Sequence, residues 1–173
     1  MDIRKIGYGE IPDAVKAIIE VPLNSNIKYE IDKESGAVEV DRILYSSMHY
    51  PANYGFVSNT LSEDGDPADI LVICDYPLQA GACITCRLIG VLLTEDENGG
   101  DEKLIAVPIE KIDPTYKDIQ DIDDLPRHTL HRIKNFFETY KMLEPDKWVK
   151  VSGFENKKSA IDILEKAVKK DKA

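Results

Sequence analysis

Basic charge, cysteine and long apolar runs are all in short supply in this sequence, and each shortage disfavours a class of protein. Lysine and arginine number 22 against 32 aspartates and glutamates, a formal net charge of −10. A nucleic-acid binder normally carries a basic patch or stripe, so that class is disfavoured. Three cysteines, Cys74, Cys83 and Cys86, are too few and odd in number for a disulfide framework. Cys83-Ile84-Thr85-Cys86 has a metal-like spacing, but it opens a run that reads as strand, where residues three apart point to opposite faces. Reduced thiols packed in the core are the better reading. No apolar run approaches the roughly 20 residues that cross a bilayer. The opening Met1-Asp2-Ile3-Arg4-Lys5 lacks the apolar stretch and small-residue cleavage site of a secretory signal. A cytoplasmic protein with no membrane association and no nucleic-acid partner is expected.

The acidic balance leaves an anionic substrate open. Carboxylates repel phosphate only until divalent cations fill the cleft, and the metal charge then becomes the local attraction. There is no repeat, low-complexity tract or linker long enough to divide 173 residues of which 43% are hydrophobic, so one domain over residues 1–173 with its own core is expected.

Ala17 to Pro22 reads as a short strand ended by the proline, and Asn24-Ser25-Asn26 as a turn. Ile27, Tyr29 and Ile31 alternate with Lys28, Glu30 and Asp32, the period of a half-buried strand, which places Lys28 and Glu30 on one polar face. With a turn at Glu34-Ser35-Gly36 and a return over 37–44, the segment predicts a hairpin. Tyr45 to Leu61, interrupted by Pro51, Asn53, Gly55 and Asn59, reads as irregular. Strands are predicted over 70–74, 83–94 and 103–108, with acidic loops at 63–69 and 95–102. Beyond Pro108 the period becomes helical. Asp123 or Asp124 caps a helix with Pro126 in its first turn and Leu130, Ile133, Phe137 and Tyr140 at helical spacing. A short strand over 148–151 precedes a last helix capped by Asn156, with a stripe of Ala160, Ile161, Leu164, Ala167 and Val168. Antiparallel strands followed by two helices make an α+β fold of the kind that closes into a small barrel.

Glu63-Asp64-Gly65-Asp66-Pro67-Ala68-Asp69 is the most informative stretch. Its aspartates, punctuated by a flexible glycine and a rigid proline, can fold their oxygens onto a hard cation. On spacing alone, a solvated turn fits equally well. A calcium loop of the EF-hand type fails its register. Its sixth position must be glycine, but a start at Asp64 puts Asp69 there and a start at Ser62 puts Pro67. In the second acidic loop, a start at Thr94 aligns Asp96, Asn98 and Gly99 but leaves Ile105 where the bidentate glutamate must stand. That loop, which carries Asp96 and Asp101, reads by itself as an exposed hairpin tip; lying beside the first, it would complete a site for several metals. Donors for phosphate oxygens are Lys28, Arg42, Lys103 and Lys141, with the hydroxyls of Tyr54 and Tyr140. Taken singly, each reads as a surface charge or a half-buried tyrosine.

Together these segments resemble the soluble family I inorganic pyrophosphatases of bacterial type. The resemblance rests on Ile19-Glu20-Val21-Pro22, residues 27–36, Val40-Asp41-Arg42, residues 50–55, the signature Asp64-Gly65-Asp66-Pro67-Ala68-Asp69, residues 103–108, and residues 136–141 followed by 148–151. They stand in family order from Glu20 to Glu155. The resemblance implies a five-stranded OB-type β-barrel with flanking helices. It also implies hydrolysis of inorganic pyrophosphate to two phosphates by a metal-activated water, with Mg2+ as cofactor, in a homohexamer. Carried onto the matching positions, it assigns Asp64, Asp69 and Asp101 to a first metal, Asp69 also to a second, and Asp96 and Asp101 to metal arriving with substrate. Asp66 would accept a proton from the attacking water, with Glu20 and Glu30 lining the catalytic cavity. Lys28, Arg42, Tyr54, Lys103, Tyr140 and Lys141 would contact phosphate oxygens. The turn after Pro22 is one residue shorter than in some members, and the helix around Asn135 and Thr139 lacks histidines that some bacterial members carry. His128 and His131 read as facing solvent or a subunit contact. Two rivals differ in kind. A noncatalytic Ca2+-binding module would bind metal without releasing phosphate, and an OB-type nucleic-acid binder would use a basic groove and stacking aromatics.

Overall fold

Most of the apolar runs become strands in a computed structural model that describes residues 3–172. In chain order the elements are β1 (Gly9–Glu10), β2 (Ala14–Val21), β3 (Ile27–Ile31), β4 (Val38–Ile43), β5 (Asn53–Val57), β6 (Asp69–Val72), β7 (Cys83–Asp96), β8 (Gly99–Gly100), β9 (Lys103–Pro108), α1 (Arg127–Thr139), β10 (Val149–Asn156) and α2 (Lys157–Asp171). Pairing runs β2–β5–β6–β9–β7 and returns to β2, whose residues 15–18 bond to β7 while 17–21 bond to β5. A five-stranded OB-type barrel closes in this way and leaves none of its five strands as a free edge at the seam. β10 extends the sheet along the far half of β7, and β3 with β4 forms the expected separate hairpin.

The barrel strands bury both faces, which explains why β7 reads as a continuous apolar run and not as an alternation. Ile89 and Leu92 share one cluster with Ile133, Phe136 and Phe137 of α1, while Leu88 and Val91 share another with Ala160 and Leu164 of α2. A strict alternation would put Leu88 and Val91 on opposite faces. The register of β7 against β9 shifts between Leu88 and Gly90, and that irregularity resets the alternation.

Three expectations need correction. Residues 45–61 are not all irregular, because they contain β5, which is buried throughout. The residues that signalled a loop have other work inside the barrel. A Cβ on Gly55 would lie 1.9 Å from the carbonyl oxygen of Ile18, so only glycine lets β2 and β5 approach. Asn53 is fully buried, its Oδ1 accepting from Leu23 N at 2.9 Å and Leu78 N at 2.7 Å while its Nδ2 donates to Tyr76 O at 3.0 Å. The first helix also begins differently. Asp121, not Asp123 or Asp124, caps a short 3-10 turn over Ile122–Asp124, and Pro126 stands at the N-cap of α1 itself. Finally, the thiols are free, but Cys83 is exposed and only Cys74 and Cys86 are buried. The cap of α2 is as expected, with the Asn156 side chain accepting from Ser159 N at 3.2 Å. Among the described residues, no helix is long and apolar enough to cross a membrane.

Candidate active site

The direction of one strand pair assembles the site. β6 and β9 run parallel, with Asp69 opposite Lys103. The segments that precede parallel strands arrive at the same end of a sheet, whereas antiparallel pairing would separate them. The first acidic loop leads into β6 and the second into β9, so both open at one mouth of the barrel. β7 delivers Asp96 to the same place through the tight β7–β8 connection. From the opposite side the β3–β4 hairpin brings Lys28 opposite Arg42, and the end of α1 brings Tyr140 and Lys141.

The result is a cleft of about 360 Å³ lined by all thirteen residues named from the sequence: Glu20, Lys28, Glu30, Arg42, Tyr54, Asp64, Asp66, Asp69, Asp96, Asp101, Lys103, Tyr140 and Lys141. Further lining residues were not foreseen, notably Lys33, Tyr50, Glu97, Asn98 and Lys147. Lys33 falls within the motif over 27–36, and Tyr50 within that over 50–55, but spacing gave neither a chemical role. His128 and His131 are exposed on α1 and take no part in the lining.

Opposite charges interleave across the cleft. The Lys103 ammonium, almost fully buried, lies 2.6 Å from Asp69 Oδ2 and also donates to Asp101 Oδ1. Tyr54 Oη donates to the same Asp69 oxygen at 2.6 Å. Lys141 Nζ lies 3.0 Å from Asp96 Oδ2, and Lys33 Nζ lies 2.7 Å from Asp66 Oδ1 at the outer rim. Arg42 donates from Nε to Glu144 at 3.1 Å and from Nη1 to Asp41 at 2.6 Å. Glu20 Oε1 accepts from Ile31 N at 2.9 Å, tying the cavity wall to the hairpin.

Burial and crowding shift these groups in opposite senses. Burial is the main cause that pushes Glu20 up to about 7, with Asp69 adding repulsion and the Ile31 amide opposing it. Asp101 rises to about 6, again chiefly by burial, with repulsion from Asp69 and Asp96 partly offset by Lys103. Burial alone would lower the Lys103 ammonium, but Asp69 and Asp101 outweigh it and hold it above its ordinary value. Burial also raises the Tyr54 and Tyr140 phenols, so both remain neutral donors.

Asp64, Asp66, Asp69, Asp96 and Asp101 offer a set of hard oxygen donors, the chemistry that suits Mg2+ or Ca2+ and not a soft metal. Among the described residues no three His, Cys, Asp or Glu side chains already converge as a ligand group. Lys103 instead stands between Asp69 and Asp101. The donor set fits a hard divalent cation in kind, and the repulsion from Asp69 and Asp96 that adds to burial in raising Asp101 is of the sort such a cation relieves.

Carboxylates interleaved with ammonium, guanidinium and phenol donors, at the mouth of a small OB-type barrel, suit a phosphate anion accompanied by cations. The sequence model of the inorganic pyrophosphatase family matches residues 17–172. The inorganic pyrophosphatase of Campylobacter jejuni is 63% identical over 169 residues, covering 98% of each chain, and that of Helicobacter pylori is 61% identical over the same share. Among solved structures, the inorganic pyrophosphatase of Helicobacter pylori superposes with a TM-score of 0.92 at 63% identity, covering 93% of this chain and 95% of that one. The enzyme of Thermus thermophilus superposes with 0.95 at 43% identity and complete coverage of both. The chain belongs to the inorganic pyrophosphatase family.

Proposed function

We propose that the chain hydrolyses inorganic pyrophosphate to two phosphates in this cleft, with Mg2+ as cofactor. Membership of the family supports the substrate and the reaction. The observation that supports the site assignment is the gathering of all thirteen residues named from the sequence in one cleft of about 360 Å³.

In this reading Asp64, Asp69, Asp96 and Asp101 hold the metal. Bound divalent cations supply neutralisation of the phosphate charge and acidify the attacking water. Asp66 accepts the proton from that water, and Lys33 steadies the carboxylate at the rim. Lys28, Arg42, Lys103 and Lys141 take phosphate oxygens, and Tyr54 and Tyr140 donate as neutral phenols. Their charge answers what builds on the leaving phosphate. Glu144 and Asp41 bond Nε and Nη1 of Arg42 and hold the guanidinium in place at the cleft. Glu20 and Glu30 complete the wall. The family further suggests a cytoplasmic homohexamer.

Phosphate release from pyrophosphate tests the reading. Activity is expected with Mg2+ and is lost in excess EDTA; full activity in EDTA would overturn it. ATP should be a poor substrate, because a cleft lined mostly by charged groups suits phosphate and offers little to a nucleoside. Metal binding with no phosphate release would favour the Ca2+-binding module. Asp66→Asn should lose roughly 100-fold to 10,000-fold in turnover even at saturating Mg2+, the ordinary contribution of a positioned base. Recovery of near wild-type turnover by added Mg2+ would remove Asp66 from that role.

A further inference from the structure

We infer that the last turn of α2 positions the first acidic loop through Lys170, and thereby sets the affinity of the cleft for divalent cations. The inference rests on the reading of Asp64 and Asp69 as metal ligands.

The loop closes its own neck. Ser62 N donates to Asp66 O at 2.7 Å, and Ala68 N donates to Thr60 Oγ1 at 2.9 Å. Gly65, at φ +92°, supplies the left-handed turn at the tip. These bonds define the shape of the loop but not its tilt over the cleft. From outside, Lys33 meets the Asp66 carboxylate at the exposed rim, and α2 holds the backbone of the stem. Leu61 N donates to Ala167 O at 3.0 Å, and Lys170 Nζ donates to Ser62 O at 2.6 Å. The same helix packs Ala160, Leu164 and Ala167 into the cluster that contains Ala68 and Ile70, the neighbours of Asp69 on either side. Its apolar stripe therefore seats it against the barrel while its last turn grips the stem of the loop. Neither Ala167 nor Lys170 lines the cleft, so a geometric effect on it must pass through the loop, whereas the Lys170 charge also acts through space. Lys170 is exposed as Lys166 is, but Lys170 bonds a backbone carbonyl of the stem, whereas Lys166 reaches only the end of the exposed Glu63 side chain at 3.0 Å and should matter little.

Electrostatics and geometry predict opposite signs for loss of the Lys170 charge. Removing a cation near a divalent-metal site tightens metal binding by Coulomb's law. Loosening the stem of a ligand-bearing loop weakens it, because the ligands must then be ordered on binding. Groups that directly orient metal ligands typically change affinity by about 10- to 100-fold, and a tether acting through the stem should change it by roughly threefold to tenfold.

The test is calorimetric titration of Mg2+ into the full chain without pyrophosphate, with hydrogen exchange followed at amides 62–66. Lys170→Met keeps the apolar stem and removes the ammonium. It should weaken Mg2+ binding by roughly threefold to tenfold and speed exchange in the loop, with little change in thermal midpoint. Lys170→Arg should restore both, and Lys166→Met should resemble wild type. Unchanged or tighter Mg2+ binding in Lys170→Met, or unchanged exchange at 62–66, overturns the positioning role. If Asp69→Asn leaves Mg2+ binding unchanged, the metal-ligand reading itself has failed, an outcome the two Lys170 variants cannot produce.

Discussion

Glu20 shows how a single side chain carries a pH signature into the whole protein. Its carboxyl is raised from an ordinary 4.5 to about 7. Between those values the folded protein keeps a proton that the unfolded chain has released, so stability falls as pH rises through that window. The contribution is present below about pH 4.5 and is lost above about 7. Glu20→Gln keeps an acceptor for the Ile31 amide but cannot ionise. In EDTA, denaturant unfolding of the wild type should lose stability between pH 5 and 8 by on the order of 2 kcal/mol more than the variant does. Asp101 rises in both proteins, so the difference isolates Glu20. Parallel pH profiles for the two proteins would show that burial does not shift this carboxyl.

At the scale of elements, β5 illustrates why residue preferences mislead. Gly55 and Asn53 are loop formers by preference, yet the first admits the backbone of Ile18 and the second bonds Leu23, Tyr76 and Leu78 from a fully buried position. Gly55→Ala would force a Cβ to within 1.9 Å of the Ile18 carbonyl, backbone against backbone, where no rotamer can relieve it. A loss of about 3 kcal/mol or more is expected, at the upper end of ordinary overpacking costs. Activity should fall with it, because Tyr54 neighbours the substitution and bonds Asp69. A thermal midpoint within a degree or two of wild type would show that β2 and β5 have room the structure does not provide. The last helix was more legible than this strand. Asn156 caps α2, and of its stripe Ala160, Leu164, Ala167 and Val168 are buried and Ile161 partly so, because cap chemistry and a 3.6-residue period are local properties.

At the scale of the whole molecule, apolar side chains remain uncovered outside the cleft. Val40, Ile43 and Tyr45 on and beyond β4, and Met142, Leu143 and Trp148 after α1, are all exposed. Surfaces of this kind are common where subunits meet. Sedimentation should give a mass six times 19.5 kDa, as the proposed homohexamer requires, and a monomer at micromolar concentration would rule that assembly out. The sequence alone supplied the candidate groups and the family: carboxylates in two loops, cations and phenols for an anion, and motifs in an order that resembles the inorganic pyrophosphatases. Local period also placed the β3–β4 hairpin and the strand that begins at Cys83. What only the tertiary structure decided is which of these groups meet. The parallel pairing of β6 with β9 brings both acidic loops to one mouth, and strand direction in a pair depends on contacts between segments distant in the chain, which no local period records. The burial that raises Glu20 and Asp101, and the seating of Lys103 between Asp69 and Asp101, follow from that closure, since desolvation and charge proximity exist only once the barrel has formed.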